Sequence, residues 1–259
     1  MAKTNYHNHT YLCQHAQGLP YDYIKRAVEL DYDEIGMSDH GPILYDLFAR
    51  MTLSEFYDIY LPDIEKAKQE FFKQIKIYKG LEIEYFQNHH QHYEMLLKDL
   101  DYLILGQHVL IHQSKFIDVF RDMNDEYLEL YKDTVIEALE TKYFRILAHP
   151  DIYLFGYQTW NEKTEKVARA IIEAAIRTDT LLEINANGIR RRRIINQDGE
   201  EVYLYPRKEF WTLLKAYPEA QIIINEDNHA LKQIGDKAVF RAHEFAQELN
   251  LTIRDFLYD

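Results

Sequence analysis

The stretch Thr4–His9, TNYHNH, introduces the pattern that predicts the fold of this chain. It lies in a short strand-like run and carries two histidines, His7 and His9, that are two residues apart. On a strand, side chains two apart point to the same side, so both imidazoles would face one way. An isolated His-x-His pair is usually fortuitous, and its meaning depends on whether other strand-like runs end in the same manner.

Six further strand-like runs follow, and they alternate with segments of helical periodicity. The seven runs are Thr4–Asn8, Glu34–Ser38, Ile75–Glu84, Tyr102–Gly106, Arg145–Ala148, Thr180–Asn185 and Gln221–Asn225. The helical segments are Tyr21–Leu30, Leu53–Gln74, His92–Leu100, Asp125–Thr141, Asn161–Arg177, Arg207–Tyr217 and Leu231–Leu249, with Asp125 and Asn161 as predicted N-caps. The alternation predicts an α/β barrel of parallel strands with helices outside; a doubly wound open sheet is the alternative.

Composition and charge limit the classes of protein to which the chain can belong. It has 259 residues, only 9 glycines and 6 prolines, and no low-complexity linker, which predicts one domain over residues 1–259. The formal net charge of −13 disfavours nucleic acid and anionic membranes as partners. A single cysteine, Cys13, and an N-terminus without an apolar signal segment predict a cytoplasmic location.

Metal-competent side chains stand at the ends of nearly all the strand-like runs. They are His7 and His9, Asp39 and His40, Glu82 and Glu84, His108, His149, Glu183 and Asn185, and Asp227 and His229. The carboxyl ends of the strands form the active-site face in parallel α/β folds, so these groups are expected to meet in space. A lone histidine after a strand is more often structural, but histidines after several strands indicate a metal cluster suited to hydrolysis.

The same motifs resemble a known family. The segments YHNHTYLCQHAQG, EIGMSDHGP, GLEIEY, GQHV, LAHPD, LEINANGIRR and NEDNHA follow one another along the chain. Their order and spacing resemble the PHP (polymerase and histidinol phosphatase) superfamily, and within it the histidinol-phosphate phosphatases. This resemblance implies a distorted (β/α)7 TIM-like barrel with its active site at the C-terminal ends of the strands.

The resemblance also implies a centre of three divalent ions, which could be zinc, iron or manganese. The implied ligands are His7, His9, Glu82 and Asp227 for the first ion, Glu82, His108 and His149 for the second, and His15, His40 and His229 for the third. The implied reaction is hydrolysis of L-histidinol phosphate, a small phosphate monoester of histidine biosynthesis, to L-histidinol and phosphate. A hydroxide that bridges two metals is expected to attack phosphorus.

Other residues are candidates for phosphate binding and proton transfer. Arg190 is the predicted phosphate contact, because a planar guanidinium suits phosphate, and Ser38 and Arg207 are weaker candidates. Asp227 and His229 are placed to assist the leaving group. Asp39 is expected to orient a histidine or to accept a proton, although a turn residue in SDHGP would give the same pattern. Glu226 departs from the serine usual in the family and could alter substrate contacts.

Two other functions fit parts of the pattern. A PHP-type phosphodiesterase, nuclease or nucleotide phosphatase would use the same ligands, but the net charge of −13 and the lack of a nucleic-acid module count against it. A non-catalytic metal-binding domain would be expected to have lost ligands, whereas this chain retains the whole set.

Overall fold

Seven parallel strands form the centre of the fold in the computed structural model, which describes residues 2–45 and 49–258. The described residues also contain four short strands outside this sheet. All strands, in chain order, are β1 (Thr4–Asn5), β2 (Glu34–Met37), β3 (Lys76–Ile83), β4 (Tyr102–Leu105), β5 (Val109–His112), β6 (Lys115–Asp118), β7 (Ile146–Leu147), β8 (Leu181–Asn185), β9 (Ile194–Ile195), β10 (Glu201–Val202) and β11 (Ile222–Asn225). The central sheet has the order β1-β2-β3-β4-β7-β8-β11, and all of its pairings are parallel.

The two edge strands of this sheet approach each other just beyond their carboxyl ends. Asn8, after β1, forms a parallel bridge with Asn228, after β11. The amide of His9 donates to the Asn228 carbonyl over 2.8 Å, and the Asn228 amide donates to the His7 carbonyl over 3.2 Å. The result is a nearly closed barrel, which confirms the predicted barrel against the open sheet.

A helix overlaps each of the predicted helical segments. The helices are α1 (Pro20–Glu29), α2 (Leu53–Glu55), α3 (Leu61–Phe71), α4 (His90–Leu96), α5 (Asp125–Glu140), α6 (Tyr153–Gly156), α7 (Glu162–Thr178), α8 (Ala186–Arg190), α9 (Lys208–Leu213) and α10 (Lys237–Glu248). Asn161 caps α7, as predicted, by accepting from the amides of Lys163 and Thr164. The N-cap of α5 is Asn124, not Asp125, because the Asn124 side chain accepts from the Tyr127 amide.

The apolar side chains form two cores, one inside the barrel and one between the barrel and its helices. The outer core buries the apolar faces of the long helices, among them Ile171 and Ile172 of α7. The inner core contains Tyr6, Tyr78, Tyr102, Ile104, Ile146, Ala148, Leu181, Ile223 and Leu257. Tyr102 donates its hydroxyl to the Tyr6 carbonyl over 2.5 Å, so the polar end of a large ring is satisfied inside the barrel.

Two short hairpins lie outside the barrel and were not predicted. β5 pairs with β6, and β9 pairs with β10, both antiparallel. They interrupt the strand–helix alternation after β4 and after β8, and both lead into residues of the cleft described below. Among the described residues, no helix has the length and apolar character that crossing a bilayer requires.

Candidate metal centre

The predicted ligands gather at the carboxyl end of the barrel around one carboxylate, that of Glu82 in β3. Its Oε2 atom lies 3.0 Å from His40 Nδ1, 3.4 Å from His7 Nε2 and 3.5 Å from His9 Nε2. Its Oε1 atom lies 3.2 Å from His149 Nε2 and 3.5 Å from His108 Nε2. The two oxygens of one buried carboxylate therefore face two separate groups of imidazoles, which is the arrangement of a bridging ligand.

Gly106, just after β4, makes room for this carboxylate. A Cβ atom at position 106 would lie 2.2 Å from Glu82 Oε1. No side chain can be accommodated at that distance without moving Glu82. The glycine of the motif GQHV is thus explained by the approach of a ligand rather than by a turn.

Asp227 supplies a second carboxylate from the loop after β11. Its Oδ1 atom lies 3.0 Å from His9 Nε2 and 3.3 Å from His229 Nδ1. Its Oδ2 atom accepts from the side-chain amides of Asn185 and Asn187, each over 3.1 Å. The amides fix the carboxylate and leave Oδ1 directed at the histidines.

These atoms fall into groups that could each hold one ion. Four groups have ligand atoms within 4.8 Å of one another: His7, His9 and Glu82; Glu82, His108 and His149; His9, His40 and His229; and His9, Cys13 and Asp39. The buried atoms His7 Nε2, His40 Nδ1 and Asp227 Oδ1 have no hydrogen-bond partner among the described residues. Buried polar atoms are rarely left unsatisfied, so these orphaned donor atoms fit bound cations.

His15 lies at the edge of the cluster. Its ring centroid is 5.1 Å from that of His40 and 5.2 Å from that of His229. Its Nδ1 atom is 2.7 Å from the Cys13 carbonyl and donates to it, which leaves Nε2 available as a ligand. All nine predicted ligands thus meet at one cleft, with His7 fully buried beneath it.

The buried carboxylates of the cluster favour positive charge beside them, whether it is carried by a protonated imidazole or by a metal ion. Burial opposes charge on His7, but the carboxylates of Glu183, Asp227 and Glu82 together raise its pKa well above the usual value. Although burial raises the pKa of Glu82 and of Asp227, the neighbouring histidines hold both well below the usual range. Burial lowers the pKa of His229 to about 4, so this imidazole is neutral and its lone pair is available near pH 7.

A surrounding layer of carboxylates orients the histidines. Glu183 Oε2 lies 2.8 Å from His7 Nδ1, which directs His7 Nε2 into the cluster. Asp39 is fully buried, 3.4 Å from His9 Nδ1, and it accepts from the His40 amide over 2.7 Å. Asp39 does not line the cleft, and its position beside His9 does not support contact with a substrate.

Two of the ligands have strained backbones. His149 has a φ of 31° and Asp227 a φ of 50°, both in the left-handed region that residues with a Cβ rarely adopt. Each such residue costs about 1–3 kcal/mol and persists only where its surroundings impose it. Other residues share this conformation, but His149 and Asp227 are the two predicted ligands among them.

The structure does not bring the predicted phosphate contacts to the cleft. Arg190 pairs with Asp236 over 2.8 Å and donates to the Glu226 carbonyl over 2.5 Å, so it braces the loop that carries Asp227. Arg207 is buried and pairs with Glu209 over 2.8 Å. Ser38 is buried, and its hydroxyl oxygen accepts from the Asn8 amide over 3.1 Å. The positions of Arg190, Arg207 and Ser38 therefore do not support phosphate contact.

Glu226 also turns away from the cleft. One of its oxygens lies 2.5 Å from the Tyr32 hydroxyl, and the other accepts from the Asn228 side chain over 2.7 Å and from the Gly235 amide over 3.1 Å. Glu226 does not line the cleft, so its position does not support the expectation that this carboxylate alters substrate contacts.

Several residues of the cleft were not singled out from sequence. The cleft has a volume of about 250 Å³, and its lining beyond the ligands comprises Arg50, Asp118, Phe120, Asn187, Arg191 and Tyr205. Arg191 donates from Nε to the Tyr205 hydroxyl over 2.9 Å, and Phe120 stacks on His108. The four consecutive arginines Arg190–Arg193 indicate a basic group near this strand end. Because α8 ends at Arg190 and the backbone of Arg191 is extended, Arg191 and not Arg190 lines the cleft.

The fold and the cluster together define a metal-binding α/β barrel with its site at the strand ends. The family model of the PHP domain matches residues 5–187, and the chain belongs to this family. A curated relative from Deinococcus radiodurans, named "Probable histidinol-phosphatase", is 29% identical over 156 residues. That match covers 56% of this chain and 59% of the relative, so the chain matches little more than half of that protein's length.

Two solved structures share the fold. The histidinol phosphate phosphatase of Lactococcus lactis, crystallised with zinc, L-histidinol and phosphate, has a TM-score of 0.73 at 16% identity, covering 97% of this chain and 95% of that one. A candidate histidinol phosphatase of Listeria monocytogenes has a TM-score of 0.68 at 20% identity, covering 91% and 98%. Both confirm the predicted barrel.

Proposed function

We propose that the chain is a metal-dependent phosphomonoesterase that hydrolyses L-histidinol phosphate to L-histidinol and phosphate. The observation that carries this proposal is the Glu82 carboxylate, whose two oxygens each face histidines at the floor of an open cleft. The likeness to proteins named as histidinol phosphatases supports the choice of substrate. We propose in addition that residues 1–259 act as one phosphatase domain.

The proposed cofactor is a set of three divalent ions held by the nine predicted ligands. Divalent ions would offset the negative charge of a phosphoryl group and activate water as the nucleophile. Imidazole and carboxylate ligands accept zinc, iron and manganese alike, and zinc is the metal in the Lactococcus lactis structure. Two of the groups of ligand atoms share Glu82, and another combines His9 with His40 and His229, which supports more than one ion.

The chain's own residues prepare the cleft for a phosphate monoester. Arg191 brings a cation to the cleft, and we propose it as a phosphate contact in place of Arg190. Tyr205 accepts from Arg191 Nε and thereby holds the guanidinium at the wall. Asp227 and His229, 3.3 Å apart and both at the cleft, stay our proposed groups on the leaving-group side. Asp39 acts through His9.

A phosphate-release screen over a panel of monoesters, run beside elemental analysis of the same preparation, tests the proposal. We expect histidinol phosphate to be the preferred substrate and more than one metal ion to be bound per chain. No release from histidinol phosphate at full metal occupancy would reject this substrate. Much faster cleavage of DNA or of a nucleoside bisphosphate would favour the phosphodiesterase alternative instead.

A further inference from the structure

A buried ion pair lies beside the metal ligands. Arg50 precedes α2, and Glu84 follows β3, two residues after Glu82. Arg50 Nη2 lies 2.6 Å from Glu84 Oε1, and the two side chains are only 9% and 1% exposed. A buried guanidinium and carboxylate lose much of their hydration, so such a pair is weak evidence of stabilisation and calls for another explanation.

The same oxygen of Glu84 also contacts a metal ligand. Glu84 Oε1 lies 3.0 Å from His108 Nδ1. An ionised carboxylate can only accept, and therefore His108 Nδ1 carries the proton and donates it to Glu84. The lone pair of His108 is then on Nε2, which faces Glu82 Oε1 at 3.5 Å and His149 Nε2 at 3.4 Å. Glu84 thus fixes the tautomer that His108 needs as a ligand.

Arg50 in turn reaches the cleft. It lines the cavity together with His40, Glu82 and His108, while Arg191 lines it from the segment after α8. These two arginines come from different parts of the chain, between β2 and β3 and between β8 and β9. A phosphoryl group carries charge on three oxygens, and donors from two directions would hold it in one orientation.

We infer that Arg50 is a second phosphate contact and that Glu84 is a positioning residue that couples this contact to the metal ligand His108. One carboxylate oxygen holds both the guanidinium and the imidazole, so a change at Glu84 disturbs phosphate binding and metal binding together. The inference rests on the proposed function, because it assumes a phosphoryl group in the cleft.

The test measures binding of inorganic phosphate to the metal-loaded protein by isothermal titration calorimetry, and metal content by elemental analysis. Arg50→Met is expected to weaken phosphate binding about 10-fold to 100-fold, the loss of a charged hydrogen-bond donor, at unchanged metal content. Glu84→Gln is expected to weaken phosphate binding similarly and also metal affinity by about 10-fold to 100-fold. The double variant should bind phosphate no more weakly than Arg50→Met.

Arg207→Met is the matched control. It removes a buried arginine that pairs with a glutamate, Glu209, over 2.8 Å, but that does not line the cleft. We expect it to lower the melting temperature and to leave phosphate affinity unchanged. If Arg50→Met does not fold, Arg50→Lys keeps a positive charge against Glu84 and is expected to show a loss of about 10-fold, because the planar fork is gone.

Unchanged phosphate affinity in folded Arg50→Met or Arg50→Lys would overturn the assignment of Arg50. Effects of Arg50→Met and Glu84→Gln that simply add would overturn the coupling through Glu84. A parent protein that binds phosphate but releases none from histidinol phosphate would reject the proposed substrate alone, since the phosphate-binding measurements do not depend on turnover.

Discussion

The two ends of the barrel are built from the same strands and differ in nearly every physical respect. Below the ligands, the interior is filled by rings and aliphatic chains, and Tyr102 satisfies its hydroxyl on the Tyr6 carbonyl. At the carboxyl end, imidazoles and carboxylates are packed closely together, and several of their buried nitrogen and oxygen atoms have no hydrogen-bond partner among the described residues. The backbones of His149 and Asp227 there adopt the left-handed conformation. The apolar interior stabilises the barrel, and the stable barrel holds the side chains of the carboxyl end close enough together to bind cations.

A glycine lies against Glu82 at the carboxyl end and another lies against Tyr102 in the apolar interior, so the same substitution can be made at both places. A Cβ at Gly106 would meet Glu82 Oε1 at 2.2 Å, and a Cβ at Gly80 would meet Tyr102 Cζ at 2.4 Å. The same substitution by alanine therefore disturbs a ligand in one case and a packed ring in the other. We expect the first to affect chemistry and the second to affect stability.

The largest effect is expected for Glu82→Gln. This change removes the negative charge that faces both groups of histidines, so metal occupancy and phosphate release should fall together, the latter by about 10³-fold. The measurements are elemental analysis and the rate of phosphate release from histidinol phosphate. Retention of both at the parental level would contradict the bridging role that we propose for this carboxylate.

Gly106→Ala should come next. The new methyl group would displace the Glu82 carboxylate by an ångström or so, and misplacement of that order costs about 10²-fold in rate. The rate per folded molecule should fall while the melting temperature changes little, because the methyl group would meet the Glu82 side chain and not the apolar core. A large fall in melting temperature with a parental rate would show that Gly106 serves packing instead.

Glu183→Gln should have a smaller effect, confined to metal affinity. The carboxylate lies 2.8 Å from His7 Nδ1, and loss of such an orienting partner weakens metal binding by about 10-fold to 100-fold. Competition with a chelator of known affinity measures the change. The rate at saturating metal should stay within a few-fold of the parent, and a loss that excess metal fails to restore would assign Glu183 a role beyond orientation.

Gly80→Ala should leave the rate per folded molecule unchanged. The added methyl group overpacks the interior against Tyr102, which costs about 1–3 kcal/mol of unfolding free energy. Urea unfolding followed by circular dichroism measures this cost, and the phosphate-release rate of the same sample provides the comparison. A loss of rate as large as that of Gly106→Ala would mean that the two ends of the barrel are not independent.

The sequence predicted the barrel and the ligand cluster for the same physical reason. Strand ends of a parallel barrel converge, so histidines and carboxylates at positions such as Glu82, His149 and Asp227 could be expected together without knowing any contact. The hairpins β5–β6 and β9–β10 were missed because short strands outside a barrel carry too little periodicity to be recognised.

Directions of side chains in loops could not be predicted in the same way. Arg190 and Arg191 are neighbours of one residue type, and only the end of α8 decides that Arg191 lines the cleft while Arg190 pairs with Asp236. Arg50 lies in a segment without any pattern that distinguishes it. Glu226 follows a strand like the ligands do, yet its side chain faces Tyr32 behind the barrel wall.

The most direct measurement of the central claim is anomalous X-ray scattering from crystals of the metal-loaded protein, collected at the absorption edge of the bound metal. We predict separate peaks on the two sides of the Glu82 carboxylate, each at about 2.0–2.3 Å from one of its oxygens and from histidine nitrogens. A further peak is predicted beside His15, His40 and His229. Absence of any peak at Glu82 in protein that releases phosphate would contradict the account.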